Sequence, residues 1–195
     1  MSHPLKEWME DNASLFRYSG ELGCMREEAA RILLSGSVAA FLSPLFRTIY
    51  PESHIEAVTD DESVIREAME EDPALEIHAM PFSAFSGSGF DIAVSLIVPS
   101  FLDGRDLISY LFSMHEALGE GGNLHITFLS DDKPYSPMKE EALWYDESEA
   151  VSIKRYRPED FLRALSMVGF DIRAIESDKD DKLGTVISIH AVKRA

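Results

Sequence analysis

Between Arg31 and Leu129 the chain alternates short apolar runs with segments of helical period, and this alternation constrains the fold most. Residues 32–34, 54–58, 75–78, 90–98 and 123–129 read as strands. Residues 38–50, stopped by Pro51, then 62–71 and 106–118 read as helices between them, with Asp60 or Asp61 able to cap the second. The run FDIAVSLIV is apolar on alternate and intervening positions alike, as expected of a strand buried on both faces of a parallel sheet. The reading is α/β: a three-layer sandwich with helices on both sides of one sheet. Such sheets bind ligands beyond the carboxyl ends of their strands, beside the first strand, where the turn at Gly36 lies.

The C-terminal third completes the pattern. The segment RPEDFLRALSMVGF reads as a helix with Pro158 in its first turn, and GEGG at 119–122 as the glycine stop of the preceding one. Residues 171–176 and 185–192 read as the last strands, joined by SDKDDKLG. A parallel return needs a crossover of about ten or more residues, so the segment from Thr185 is expected antiparallel in a mainly parallel seven-stranded sheet. Residues 130–156 are polar with Tyr135, Trp144, Tyr145 and Tyr156 interspersed, which suits a lid over the strand ends. Residues 1–30 read as a separate helical cap. Its aromatics Trp8, Phe16 and Tyr18 either close over the cleft with Trp144 and Tyr145 or pack on the sheet edge.

Lys plus Arg number 18 against 35 Asp plus Glu, a net charge of −17. With no basic cluster to compensate, nucleic acid and anionic membranes are excluded as direct partners. No apolar run reaches the roughly 18 residues of a membrane span, and no signal-type stretch opens the chain, so a cytoplasmic protein is expected. Cys24 is the only cysteine, which rules out an internal disulfide.

Three stretches carry a resemblance. FDIAVSLIVPSFLDGRDLISYLFSMHEALGEGGNLHITF resembles the fourth strand, helix and glycine turn of class I S-adenosylmethionine-dependent methyltransferases, with Gly121-Gly122 in the place of their usual Pro-Gly-Gly. YRPEDFLRALSMVGFDIRAIE is similar to their last helix and sixth strand, and RILLSGSVAAFL with IEAVTDDESVIREA occupies the places of their first two cofactor motifs. The resemblance spans residues 31–195 and implies a Rossmann-like sheet with a reversed final strand. It implies S-adenosylmethionine held along Gly36, Ser37, Val38, Thr59, Asp60, Met80, Ser95 and Leu96.

The departures fall on those same motifs. In register on Gly36, the acid before the turn is Leu34, and the second and third glycines are Val38 and Ala40. Thr59 stands where a ribose-binding carboxylate ends the second strand, with Asp60 one residue late, and HAMPFSAF offers no acid near the adenine. A hydroxyl replaces a group that accepts charge-assisted hydrogen bonds worth about 1.5–3 kcal/mol each. Two readings follow: a methyltransferase for a small-molecule acceptor with a divergent cofactor site, or a non-catalytic member of the fold serving a protein partner or a homodimer.

Other residues add little. His78, His115 and His125 match no zinc spacing, so no metal site is expected. His125 either faces the cleft from the fifth strand or is a satisfied structural histidine. Asp131-Asp132 and Glu140-Glu141 read as solvated loop acids. No nucleophile elbow or phosphate-cradling loop is present, and no catalytic residue is assigned.

Overall fold

The computed structural model describes residues 4–11 and 28–194. Helix α1 (Pro4–Asp11) precedes β1 (Arg31–Ser35), whose Ile32, Leu33 and Leu34 are fully buried. The expected helix over 38–50 is two: α2 (Ser37–Ala40) and α3 (Ser43–Ile49). Pro44 is the reason. Inside a continuous helix it would lack an N–H and clash with the carbonyl four residues back, whereas in the first turn of α3 it costs nothing. Strand β2 (His54–Thr59) leads to α4 (Glu62–Glu71), capped by Asp61, whose carboxylate accepts from the N–H groups of Ser63 and Val64.

Strand β3 (Glu76–Ala79) and β4 (Phe90–Leu96) are joined by residues 80–89, which form only a 3-10 turn at Phe82–Ala84. The chain then bends at Ile97 into a 3-10 turn at Val98–Phe101, so the strand expected through Val98 ends two residues early. Helix α5 (Gly104–Ala117) hands over directly to β5 (Leu118–Leu129). GEGG is therefore not a stop between them but a bulge inside β5. Phe90 pairs with Leu118 and Ile92 with Asn123, so four residues are accommodated opposite one. A Cβ on Gly122 would come within 3.0 Å of the Phe90 carbonyl oxygen, which is why the bulge is glycine-rich.

Within the expected lid, β6 (Lys139–Ala142) and β7 (Ala150–Ile153) form a small antiparallel sheet of their own. Helix α6 (Pro158–Val168) ends at Gly169 and leads to β8 (Phe170–Asp180) and β9 (Gly184–Lys193). Most of the acidic stretch expected as a turn belongs to these strands, because the pairing continues to Asp180 opposite Gly184. The main sheet has the order β3-β2-β1-β4-β5-β9-β8. All its neighbours are parallel except β9, which runs antiparallel to both β5 and β8, as expected. One apolar layer lies on the α2–α4 side, around Leu34, Phe46, Ile55 and Val94. The other lies under α5 and α6, around Leu33, Leu111, Phe128 and Phe161. Among the described residues no helix is long and apolar enough to cross a membrane. Cys24, Phe16 and Tyr18 fall outside the described residues, as does the side chain of Trp8.

Candidate functional site

A cavity of about 790 Å³ opens at the carboxyl ends of β1, β2 and β4, the place that the topology assigns to a ligand. Its floor is the turn after β1. Gly36 has φ 88°, a conformation that L side chains rarely adopt, and its N–H donates to the carbonyl of Val58 at 2.9 Å. A Cβ at this position would stand 2.3 Å from Cγ2 of Val98. The glycine is thus required by the protein's own side chain, which closes over the turn from the bend after β4. That bend is itself unusual. Ile97 takes φ 65°, ψ −13°, a left-handed conformation that strains a β-branched residue by about 1–3 kcal/mol. Its N–H donates to the Thr127 carbonyl at 3.1 Å and the Thr127 hydroxyl at 2.9 Å, which holds the bend in place.

Seven of the eight residues implied by the resemblance line this cavity: Gly36, Ser37, Val38, Thr59, Asp60, Met80 and Leu96. Ser95 does not. It is buried beneath, where its Oγ accepts from the Tyr110 hydroxyl at 2.7 Å while Ser35 Oγ lies 2.8 Å from the same oxygen. Burial pushes the Tyr110 phenol up to about 12 despite these two hydrogen bonds, so it stays protonated.

The second-strand corner is hydroxyl-rich. Thr59 Oγ1 lies 3.3 Å from Ser37 Oγ and accepts from the Asp61 N–H at 3.3 Å. Asp61 is committed to capping α4. Asp60 is exposed, lines the cavity and is the carboxylate here that neither caps a helix nor pairs among the described residues. Asp106 on α5 and Glu149 also line the cavity, whereas no Lys, Arg or His among the described residues does.

The segment expected as a lid supplies the far wall. Leu143, Trp144, Tyr145, Glu149 and Val151 face the cavity, joined by Leu5 from α1. Trp144 packs on Phe101 with ring centroids 5.6 Å apart. The lid is tied to the bend after β4, since the Lys154 N–H donates to the Ser100 carbonyl at 2.6 Å and the Tyr156 hydroxyl to the Leu102 carbonyl at 2.6 Å. Burial, then the charges of Asp61, Glu149 and Asp146, raise the Tyr145 phenol to about 12, so it too remains neutral. Sequence reasoning missed Val98, Asp106 and Glu149. Val98 was read as strand, and a helix or loop carboxylate bears no mark of the cavity that it faces.

Solved structures match this architecture closely. A methyltransferase from Methanosarcina mazei, described as SAM-dependent, superposes with a TM-score of 0.70 over 87% of this chain and 94% of its own, at 13% identity. The 1,6-didemethyltoxoflavin-N1-methyltransferase of Burkholderia thailandensis, solved with S-adenosylhomocysteine, matches at TM-score 0.66 over 100% of this chain and 92% of its own, at 15% identity. The fold is that of class I S-adenosylmethionine-dependent methyltransferases. The [4+2]-cyclase SpnF matches as well, with TM-score 0.65, 12% identity and 87% and 77% coverage, so the methyltransferase fold alone does not assign the reaction. No protein-family model and no curated protein matches the sequence.

The methyltransferase fold can be tested for fit to its cofactor here. The turn at Gly36 has a positive φ, Asp60 just beyond β2 offers a carboxylate with no partner among the described residues, and Ser37, Thr59 and Ser83 offer hydroxyls. A lining whose charges are all acidic suits a ligand carrying a sulfonium and an ammonium. These residues fit the group, with Val98 narrowing the approach to the turn.

Proposed function

We propose that this chain binds S-adenosylmethionine in the cavity and methylates a small-molecule acceptor, using a cofactor corner rebuilt around Asp60. The observation that carries the reading is convergence: seven motif positions from β1, β2, β3 and β4 line one cavity large enough for a cofactor and a small acceptor together. Gly36, Ser37, Thr59, Asp60, Met80 and Leu96 hold the cofactor, which supplies an activated methyl group when bound. Trp144, Tyr145 and Leu143 exclude water and shape the acceptor side. Positioning the acceptor in line provides much of the acceleration, and Asp106 and Glu149 are the carboxylates nearest in kind to a proton acceptor.

A second reading, a non-catalytic protein of this fold, is favoured by one observation: Val98 already fills the space over Gly36. Calorimetric titration with S-adenosylmethionine and S-adenosylhomocysteine separates the two. The expected result is weak binding by the native chain, tightened at least about tenfold in Val98→Ala combined with Thr59→Asp, equivalent to ~1.4 kcal/mol. Absence of binding by both forms supports the non-catalytic reading and ends the first.

A further inference from the structure

The crossover from β3 to β4 carries no α-helix, and the sheet face beside it brings Glu56, Glu76 and His78 together, with His54 flanking the two glutamates. The local sequences mirror one another: His-Ile-Glu at 54–56 on β2 and Glu-Ile-His at 76–78 on β3. Alternate residues of a strand share a face, and Glu56 pairs in register with Glu76, so all four side chains emerge on one side. His78 Nε2 lies 2.9 Å from Glu56 Oε2 and 3.7 Å from Glu76 Oε1. His54 Nε2 lies 3.5 Å from Glu56 Oε1 and 3.1 Å from Glu76 Oε2. One donor atom each from Glu56, Glu76 and His78 falls within 4.8 Å of the other two. Around a tetrahedral ion with bonds of ~2.1 Å, neighbouring donors stand roughly 3.4 Å apart, and the two distances from His78 Nε2 to Glu56 Oε2 and Glu76 Oε1 bracket that value.

We propose that Glu56, Glu76 and His78 form a binding site for a divalent transition metal of the zinc type, with water completing the coordination from the solvent side. Imidazole and carboxylate donors together suit zinc better than the all-oxygen sets of magnesium or calcium. The site is built rather than incidental. Glu56 is buried, and Arg31 donates to its Oε1 at 2.6 Å, which leaves Oε2 turned toward His78. Arg31 is itself fixed by the Ser88 carbonyl at 2.6 Å and lies over the Phe90 ring at 4.3 Å. The His78 ring rests against Phe85, 5.0 Å between centroids. A buried, hydrogen-bonded ligand held by an outer partner is the arrangement that orients metal sites. His54 and Glu76 are half exposed, which gives an ion its path in. The ion joins the edge strand β3 to β2 where no helix covers them. The cluster shares no residue with the cavity, so it stands whether or not the chain binds S-adenosylmethionine.

The test titrates cobalt into the full chain after chelator treatment, in a Cys24→Ser background that removes the thiol, followed by visible absorption and competition with zinc. One cobalt per chain is expected, displaced by zinc, and zinc raises the melting temperature where equal magnesium does not. His78→Gln and Glu76→Gln each weaken binding at least about tenfold. If His78→Gln does not fold, Glu76→Gln, on a half-exposed side chain, decides in its place and is expected to weaken binding and alter the absorption bands. Zinc bound equally by native and variant chains overturns the proposal, and so does the absence of any cobalt binding.

Discussion

The part of the sheet built from β4, β5 and β9 is roofed on one face by helices, and on the same face β3 and β2 are roofed by side chains and a loop. Under α5 and α6 the face is mainly apolar, with Phe128 and Phe161 stacked at 4.0 Å and both fully buried, and its polar positions Ser35 and Ser95 are satisfied by the Tyr110 hydroxyl. On the same side of β2 and β3 the positions belong to His54, Glu56, Glu76 and His78, partly covered by Phe85. The difference teaches what a crossover helix does. Where one is present, the sheet beneath it is apolar or pairs its few polar groups with the helix, and burial stabilises by about 25 cal/mol per Å². Where residues 80–89 replace it, the sheet face is free to carry ionisable groups, and chemistry can be placed there.

The largest effect that sharpens this contrast is in the core. Phe161→Ala is expected to cost about 3–5 kcal/mol in denaturant unfolding, because it empties a fully buried site beside a stacked neighbour. Phe85→Ala, on a ring that is only partly buried, should cost less than half as much. Equal losses in the two would mean that the loop roofs its half of the sheet as firmly as the helices do theirs.

The roofed half also hides an ionisable group. His125 on β5 is fully buried, and burial, then the neighbouring His190, bring its value down to about 3 from 6.5. As pH falls below about 6.5 the unfolded chain binds a proton at this position while the folded chain does not. Stability contributed by the neutral ring is therefore present above pH 6.5 and lost toward pH 3. The slope from this one group reaches about 1.4 kcal/mol per pH unit. Urea unfolding between pH 7 and 4.5 should show His125→Gln with a shallower decline than the native chain, and parallel declines would place the acid sensitivity elsewhere.

Legibility follows the same division. Strands 90–96 and 123–129, helix α6 with Pro158 and Gly169, and the reversed β9 are all visible in the sequence. Each is dictated by a local rule: an apolar run, a cap or a connection too short to cross over. The cavity's position was legible too, since topology places it. What escaped depends on contacts distant in sequence. Val98 reads as the end of an apolar run until the bend at Ile97, stabilised by Thr127, turns it onto Gly36. The break between α2 and α3 was signalled by Pro44, a cue that the helical period outweighed. His78 matched no zinc spacing because Glu56 lies 22 residues away on a neighbouring strand, and only strand register brings the two together.

The smallest expected effect distinguishes two adjacent carboxylates at the end of β2. Asp61 accepts from the N–H groups of Ser63 and Val64, so its charge satisfies the start of α4. Asp61→Ala is expected to lower stability by about 1 kcal/mol, the usual cost of losing a helix cap. Asp60, one residue earlier, is exposed and lines the cavity without such a duty. Asp60→Asn should leave stability within about 0.5 kcal/mol of the native chain, as for a surface substitution without partners. The same change should weaken S-adenosylmethionine by about tenfold, since an amide keeps the shape but loses the charge that strengthens hydrogen bonds to hydroxyls. Chemical denaturation and calorimetric titration of both variants check the pair. A chain destabilised by Asp60→Asn, or one whose ligand affinity ignores it, would return the ribose-binding role to Thr59 and Ser37, whose hydroxyls already face each other at 3.3 Å.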